Sequence, residues 1–439
     1  MGRLIRLLAG SIAALAIGLI AAPQALAFDG FGEATADSTY GVEIRFEVEL
    51  QGSAPDSLEL LMRAPGSDAS LVVTVVPDGD RATYIWDTAA EHVTPNTPVT
   101  YQWRAIADGD EVLGPEATIR YEDDREGLDW QRAQLGDATV HWYGDAEAQA
   151  RRFGELTAVG VAQAEDLLGT SLAGPVDVFV YDSREDFFGA LGPGAREWTG
   201  AAAYSDLRTV FMWLGGGSTS YLEVAIVHEV THIVFSDATD NSFHGPARWL
   251  NEGIATWSES GDAGEQRGIV QLEASGSGLF SFDAITEQFP IGERGGHLSY
   301  AQGTTMIDNI IDRYGREAIA RIAAAYRDGA SDAEALEAGT GIPADQLYAE
   351  FYAEFGVDAP QPIAPEPIGP SNVDRPPAGE IDEGGVIGTP VVPPDSAPGE
   401  VPAAADGDST PLLLLLVAAA LAAVGGAVWV ARRARRSSG

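Results

Sequence analysis

The sequence predicts a multidomain chain: an all-β sandwich, then an α+β domain, a disordered linker and one C-terminal transmembrane helix. Three observations carry this. Short alternating segments separated by turn clusters fill residues 28–124. From residue 138 a few strand-like runs give way to helical periodicity that continues to Phe355. Beyond it proline and acid accumulate, and a 20-residue uncharged run lies near the C-terminus.

The chain has 439 residues, enough for two or three folded units at roughly 100–200 residues each. It carries 26 basic and 66 acidic residues, a net charge of −40, and every basic residue is Arg. Such a chain repels phosphate backbones, so nucleic acid is excluded as a partner. There is no cysteine, which removes disulfides, thiolate metal sites and thiol nucleophiles. A metal site must therefore draw on carboxylates and the six His.

Residues 1–27 read as a signal peptide. Arg3 and Arg6 precede the apolar run Leu7 to Ala22, and Ala25-Leu26-Ala27 is a small-x-small cleavage site. In residues 28–124 the candidate strands are Val42–Leu50, Leu58–Met62, Leu71–Val76, Ala82–Trp86, Val99–Ile106 and Ala117–Tyr121. Clusters such as Pro77-Asp78-Gly79-Asp80 and Ala107-Asp108-Gly109-Asp110 supply the turns. Short strands at this spacing suggest a sandwich. Pro95-Asn96-Thr97 with Tyr101 and Arg104 resembles a fibronectin III/Ig-like domain at the level of fold.

Residues 125–136 read as a connector, and the second domain spans 138–356. Thr139–Tyr143, Val176–Tyr181 and Thr209–Leu214 are candidate strands, and Ala146–Leu168 has helical spacing. From Ser218 onward the pattern is nearly all helical, an α+β plan.

Residues 357–411 form a linker with 13 of the 25 prolines, ten acids and no aromatic residue. It has too little apolar surface to offset its ordering entropy and reads as an extended stalk. Leu412 to Ala431 is uncharged for 20 residues. At ~1.5 Å per residue it matches a bilayer core of about 30 Å. The tail 432–439 holds Arg432, Arg433, Arg435 and Arg436, which keeps it cytoplasmic by the positive-inside rule. The expected localisation is the cell membrane, single-pass through this helix in the lipid bilayer, with the N-terminal domains extracellular.

The chemistry lies in His228-Glu229-Val230-Thr231-His232, which follows an N-cap cluster starting at Ser218. Imidazoles at i and i+4 share one helix face and can bind one ion. Glu229 is rotated ~100° from His228, beside the ion, where a base can take a proton from metal-activated water. A third ligand is needed. Metzincins would place a glycine and a third histidine where this chain has Phe235 and Ala238. Glu252, 20 residues after His232 on a second predicted helix, can return opposite the imidazoles.

His228-Glu229-x-x-His232 with Asn251-Glu252-Gly253 resembles the gluzincin zinc metallopeptidases. The run Trp249-Leu250-Asn251-Glu252-Gly253-Ile254-Ala255, with Tyr300-Ala301-Gln302-Gly303, is most similar to the secreted bacterial peptidase MA-like proteins. The resemblance implies one Zn²⁺ per chain held by His228, His232 and Glu252, and Glu229 as general base. It implies Tyr300 as donor to the oxyanion, although the lysine of the relatives' Tyr-x-Lys-Gly motif is Gln302 here. No Gly-x-Met-Glu-Asn motif is present to grip a free N-terminus, which favours an endopeptidase on peptide or protein substrates. Thermolysin relatives have Asp four residues after the third ligand; this chain has Thr256.

Thr209–Trp213 is a candidate edge strand for substrate or, equally, a plain core strand. Arg248 and His244, just before the third-ligand helix, read as cleft or surface-loop residues, and His297, close to Tyr300, is a candidate second donor to the oxyanion. His92 and His141 read as structural, and Glu259 and Glu265 as parts of a solvated face. The alternative to an enzyme is a surface binding or adhesion protein on a peptidase-like scaffold that does not cleave.

Overall fold

The computed structural model describes residues 27–360, except 64, 66–68, 193–199 and 291. The expected signal peptide, the transmembrane run and nearly all of the linker lie outside the described residues. Among the described residues no helix is long and apolar enough to cross a membrane.

The chain divides into two compact units, one ending at Arg125 and one starting at Glu126. In the first, β1 (Phe28–Thr39), β2 (Glu43–Gly52) and β5 (Arg81–Asp87) form one antiparallel sheet in the order β1-β2-β5. The second sheet contains β3 (Ser57–Arg63), β4 (Leu71–Thr74), β6 (Thr97–Ala107) and β7 (Asp110–Leu113) in the order β4-β3-β6-β7. The last strand, β8 (Ala117–Tyr121), also pairs with β6. Alternate residues point inward. Ile44, Phe46 and Val48 of β2 meet Leu58 and Leu60 of β3 and Val99, Tyr101 and Trp103 of β6 in one core. This is the expected β-rich region with two additional strands. β1 is rich in Gly, Ala and Asp, so it carries little strand propensity. β7 follows the two-residue turn Asp108-Gly109, both at positive φ, a hairpin turn that aligns short strands.

The second unit opens with β9 (Gln131–Leu135), within the segment expected to be a connector. β9 is polar and pairs antiparallel with β10 (Ala138–Trp142). Helix α1 (Glu147–Leu168) crosses to β11 (Val176–Tyr181), parallel to β10. Then follow α2 (Arg184–Leu191), β12 (Ala201–Tyr204) and β13 (Thr209–Trp213). The sheet order is β12-β13-β11-β10-β9. Hence Thr209–Trp213 is an internal strand, parallel to β11 on one side, and β12 is the edge.

The helical half contains α3 (Thr219–Ala238), α4 (Arg248–Ser260), α5 (Gly264–Ser275) and α6 (Glu293–Tyr314). It ends with α7 (Glu317–Arg327), α8 (Asp332–Thr340) and α9 (Ala344–Glu354). Ser218 caps α3 by accepting from the Tyr221 N–H. α3 lies between the two cores of this unit: Ile226 and Val230 face the sheet and α1, while Val234 and Phe235 face α4.

α4 and α6 meet backbone to backbone. A Cβ on Gly253 would lie 2.6 Å from the Gly303 carbonyl carbon, and one on Gly303 would lie 2.5 Å from the Trp249 oxygen. The two glycines thus set the distance between the helix of Glu252 and the helix of Tyr300. Gly303→Ala should force these helices apart, at a cost of about 1–3 kcal/mol. In a unit of this size that lowers the melting midpoint by about 2–12 °C, readable by calorimetry.

Candidate metal centre

α3 presents His228 and His232 one turn apart, and the second turn of α4 presents Glu252 opposite them. Their donor atoms form a tight triangle. His228 Nε2 and His232 Nε2 are 3.0 Å apart. Glu252 Oε2 is 3.7 Å from the first and 3.4 Å from the second. Two donors at ~2.05 Å from one tetrahedral ion lie ~3.3 Å apart.

The outer ring nitrogens fix the tautomers. His228 Nδ1 donates to Glu259 Oε1 at 2.7 Å, and His232 Nδ1 donates to Asn251 Oδ1 at 2.8 Å. With those protons on Nδ1, each Nε2 can turn a lone pair toward one ion between them. Both face a carboxylate oxygen that is buried without a hydrogen-bond partner. Three lone pairs converging in a buried site repel one another unless a cation lies between them. The donor set fits zinc: nitrogen and oxygen ligands, three in number, with room for a fourth.

Charge at the site points the same way. Burial disfavours the charged His228 ring, yet the Glu252 and Glu259 carboxylates outweigh it and raise the group to about 10. Burial also opposes charge on Glu252, but the two imidazoles and Arg248 hold it well below the usual carboxylate range. A site that favours positive charge in this way favours a dication more.

Glu229 is 3% exposed and does not join the triangle. Its Oε2 accepts the Ala203 N–H of edge strand β12 at 2.7 Å, which holds the side chain between the sheet edge and the imidazoles. Burial raises its pKa, offset in part by His228 and His232. Tyr300, on α6, packs edge-on against Phe289 at 5.3 Å, with its ring 6.5 Å from that of His228. Its hydroxyl is buried without a hydrogen-bond partner. Burial and the neighbouring Glu252 raise its pKa far above the ordinary value.

The structure thus brings His228, Glu229, His232, Glu252 and Tyr300 together. It also corrects one expectation: Glu259 is the hydrogen-bond partner of His228, not a residue of a solvated face. The signal was its spacing, seven residues after Glu252 and so on the same side of α4 two turns on. Glu265 is exposed as expected. Gln302, in place of the relatives' lysine, is buried and clamps the Phe280 backbone with two hydrogen bonds. His297 lies one turn before Tyr300, with its Nε2 buried and unpartnered. His141 pairs with Asp177 and stacks on Phe179, outside the site. His244 lines a separate cavity of about 190 Å³ with Glu287 and Asp332.

Glu259→Ala should keep the fold but let the His228 ring rotate. Loss of such an outer partner typically weakens metal binding about 10–100-fold. Competition titration with a zinc chelator measures it, and an unchanged affinity would remove Glu259 from this role.

The fold and the donor set define a zinc metallopeptidase domain. Residues 157–354 match the family model of the Peptidase MA superfamily, in line with the resemblance that the His228, His232 and Glu252 motifs carry. Zinc is the cofactor that this family and the His-His-Glu cluster share. Among solved structures the chain is similar to an M1 zinc metallopeptidase from Deinococcus radiodurans. The identity is 16%, the match covers 74% of this chain and 92% of that one, and the TM-score is 0.34. A variant of the M1 enzyme from that organism, bound to a Tyr-Ser-Ala substrate, matches at 13% identity over 79% and 97% of the chains, with a TM-score of 0.36. An aminopeptidase N family protein from Idiomarina loihiensis matches at 9% identity over 73% and 54%, with a TM-score of 0.25. No curated protein sequence matches the chain.

Proposed function

We propose that this protein is a membrane-anchored, outward-facing zinc endopeptidase. The observation that carries the chemistry is the triangle of bare donors with a buried carboxylate, Glu229, beside it rather than in it. A structural zinc site has no use for such a carboxylate.

Zinc, when held by His228, His232 and Glu252, supplies a Lewis acid that polarises a carbonyl and makes water acidic near neutral pH. Glu229 takes the proton of the attacking water and passes it to the leaving amine. Its raised pKa suits a group that must both accept and release a proton. The Tyr300 hydroxyl, unpartnered and desolvated, donates to the peptide oxygen as negative charge develops there. The free side of β12 takes the substrate backbone as an added strand, next to the N–H that holds Glu229.

The endopeptidase reading rests on the sequence, which lacks the motif that grips a free N-terminus. The anchor rests on the 20-residue apolar run and the four arginines after it. A peptide library with acetylated N-termini tests the specificity. Internal cuts that disappear with a chelator are expected, whereas products only from unblocked peptides would make the protein an aminopeptidase.

Topology is tested on intact cells. External protease should release the soluble part by cutting within residues 357–411, and a tag after Gly439 should stay protected. Digestion of that tag would reverse the orientation.

A further inference from the structure

The zinc reading leaves one cation beside the site without a role. Arg248 is the first residue of α4, four before Glu252, and its side chain is 15% exposed. Its backbone N–H donates to the Thr286 carbonyl at 2.7 Å. Its guanidinium lies over the Phe289 ring, 5.0 Å from the centroid. A terminal nitrogen is 3.5 Å from Glu252 Oε1, and its Nε is buried without a hydrogen-bond partner. The two Glu252 oxygens are thus divided: Oε1 faces Arg248 and Oε2 faces both imidazoles.

We propose that Arg248 is a positioning residue for the third ligand: by occupying Glu252 Oε1 it leaves only Oε2 to the metal. The carboxylate then binds through one oxygen and keeps a position open for the reacting groups. Packing on Phe289 and the turn of α4 hold the guanidinium in place, so its position does not depend on bound substrate. This inference rests on the zinc reading above but not on the peptidase one.

Two effects of Arg248 on zinc oppose each other. Its charge repels a dication, so if charge alone mattered, removing it would tighten zinc binding. If it positions Glu252, removing it leaves a buried oxygen unpaired and the carboxylate free to turn. Lost outer partners of ligands typically cost about 10–100-fold in metal affinity.

The test is zinc competition titration on the full protein, with Arg248→Met and Arg248→Lys beside wild type. The cobalt-loaded forms supply a spectroscopic readout of coordination number. Arg248→Met should bind zinc about 10–100-fold more weakly, with visible cobalt absorption that drops as a second oxygen enters. Arg248→Lys keeps a cation in ion-pair reach and should recover most of both. Unchanged or tighter zinc binding by a folded Arg248→Met protein overturns the proposal. So does an effect confined to KM for peptides with a free C-terminal carboxylate, which would make Arg248 a substrate-binding group.

If Arg248→Met does not fold, Phe289→Ala decides. It keeps the charge but removes the surface on which the guanidinium rests. A several-fold loss of zinc affinity supports the proposal and an unchanged affinity refutes it. A wild-type protein that binds zinc yet cleaves no peptide would refute the proposed function and leave this inference standing.

Discussion

Glu229→Gln is expected to keep about one zinc per chain, keep its melting midpoint, and lose turnover by about 10²–10⁴-fold. The replacement has nearly the same shape, and its amide oxygen can still accept the Ala203 N–H that now binds Glu229 Oε2. The ligand triangle does not include Glu229, so the metal has no reason to leave. What is lost is a basic oxygen. An amide cannot take a proton from water at neutral pH, so the cost falls on kcat while KM stays near wild type. The check is peptide turnover together with metal analysis on the same sample. Turnover within tenfold of wild type would remove Glu229 from the role of general base, and a zinc-loaded wild type that cleaves no peptide would make the binding-protein alternative the better account.

Glu252→Ala should do the reverse: zinc goes first, and activity goes with it. Glu252 Oε2 is the carboxylate oxygen that faces both Nε2 atoms, at 3.4 and 3.7 Å. Without it two imidazoles remain, and Arg248 is left beside them with no carboxylate to balance it. Loss of an outer partner costs about 10–100-fold in affinity, so loss of a ligand costs more than 100-fold. After dialysis against a weak chelator the variant should hold under about a tenth of the wild-type zinc, and its activity should fall to background. Full occupancy would remove Glu252 from the ligand set. The contrast between the variants separates holding the ion from using it.

How much of this was readable in the sequence depended on how local each feature is. His228 and His232 sit one turn apart on one helix, so spacing alone joins them. Glu252 is on another helix, and the resemblance brought it in. Glu259 and Arg248 were harder. Glu259 is a charged residue on a predicted helix, which is most often solvated, and Arg248 was expected just before that helix, at the cleft or in a surface loop. Their positions seven after and four before Glu252 put them on its face, but only the packing of α3 against α4 shows that this face is buried.

The edge strand shows a different limit. Thr209–Trp213 has strong strand character because it is internal and buried on both faces, which is why it does not lie at the edge. The true edge, Ala201-Ala202-Ala203-Tyr204, has little strand propensity and is defined by its pairing with β13. The polar strand β9 was hidden in the same way, since an edge strand needs few apolar residues. The close contact of α4 and α6 was encoded in Gly253 and Gly303, but a glycine in a helical pattern does not name its neighbour.

The central claim is that His228, His232 and Glu252 hold one zinc ion while Glu229 stands beside it. Anomalous diffraction on either side of the zinc absorption edge tests this on crystals of the protein. The account predicts one peak, about 2.0–2.2 Å from His228 Nε2, His232 Nε2 and Glu252 Oε2, with neither Glu229 oxygen within bonding distance. A crystal grown with zinc that shows no peak there, or a peak ligated by Glu229, would contradict it.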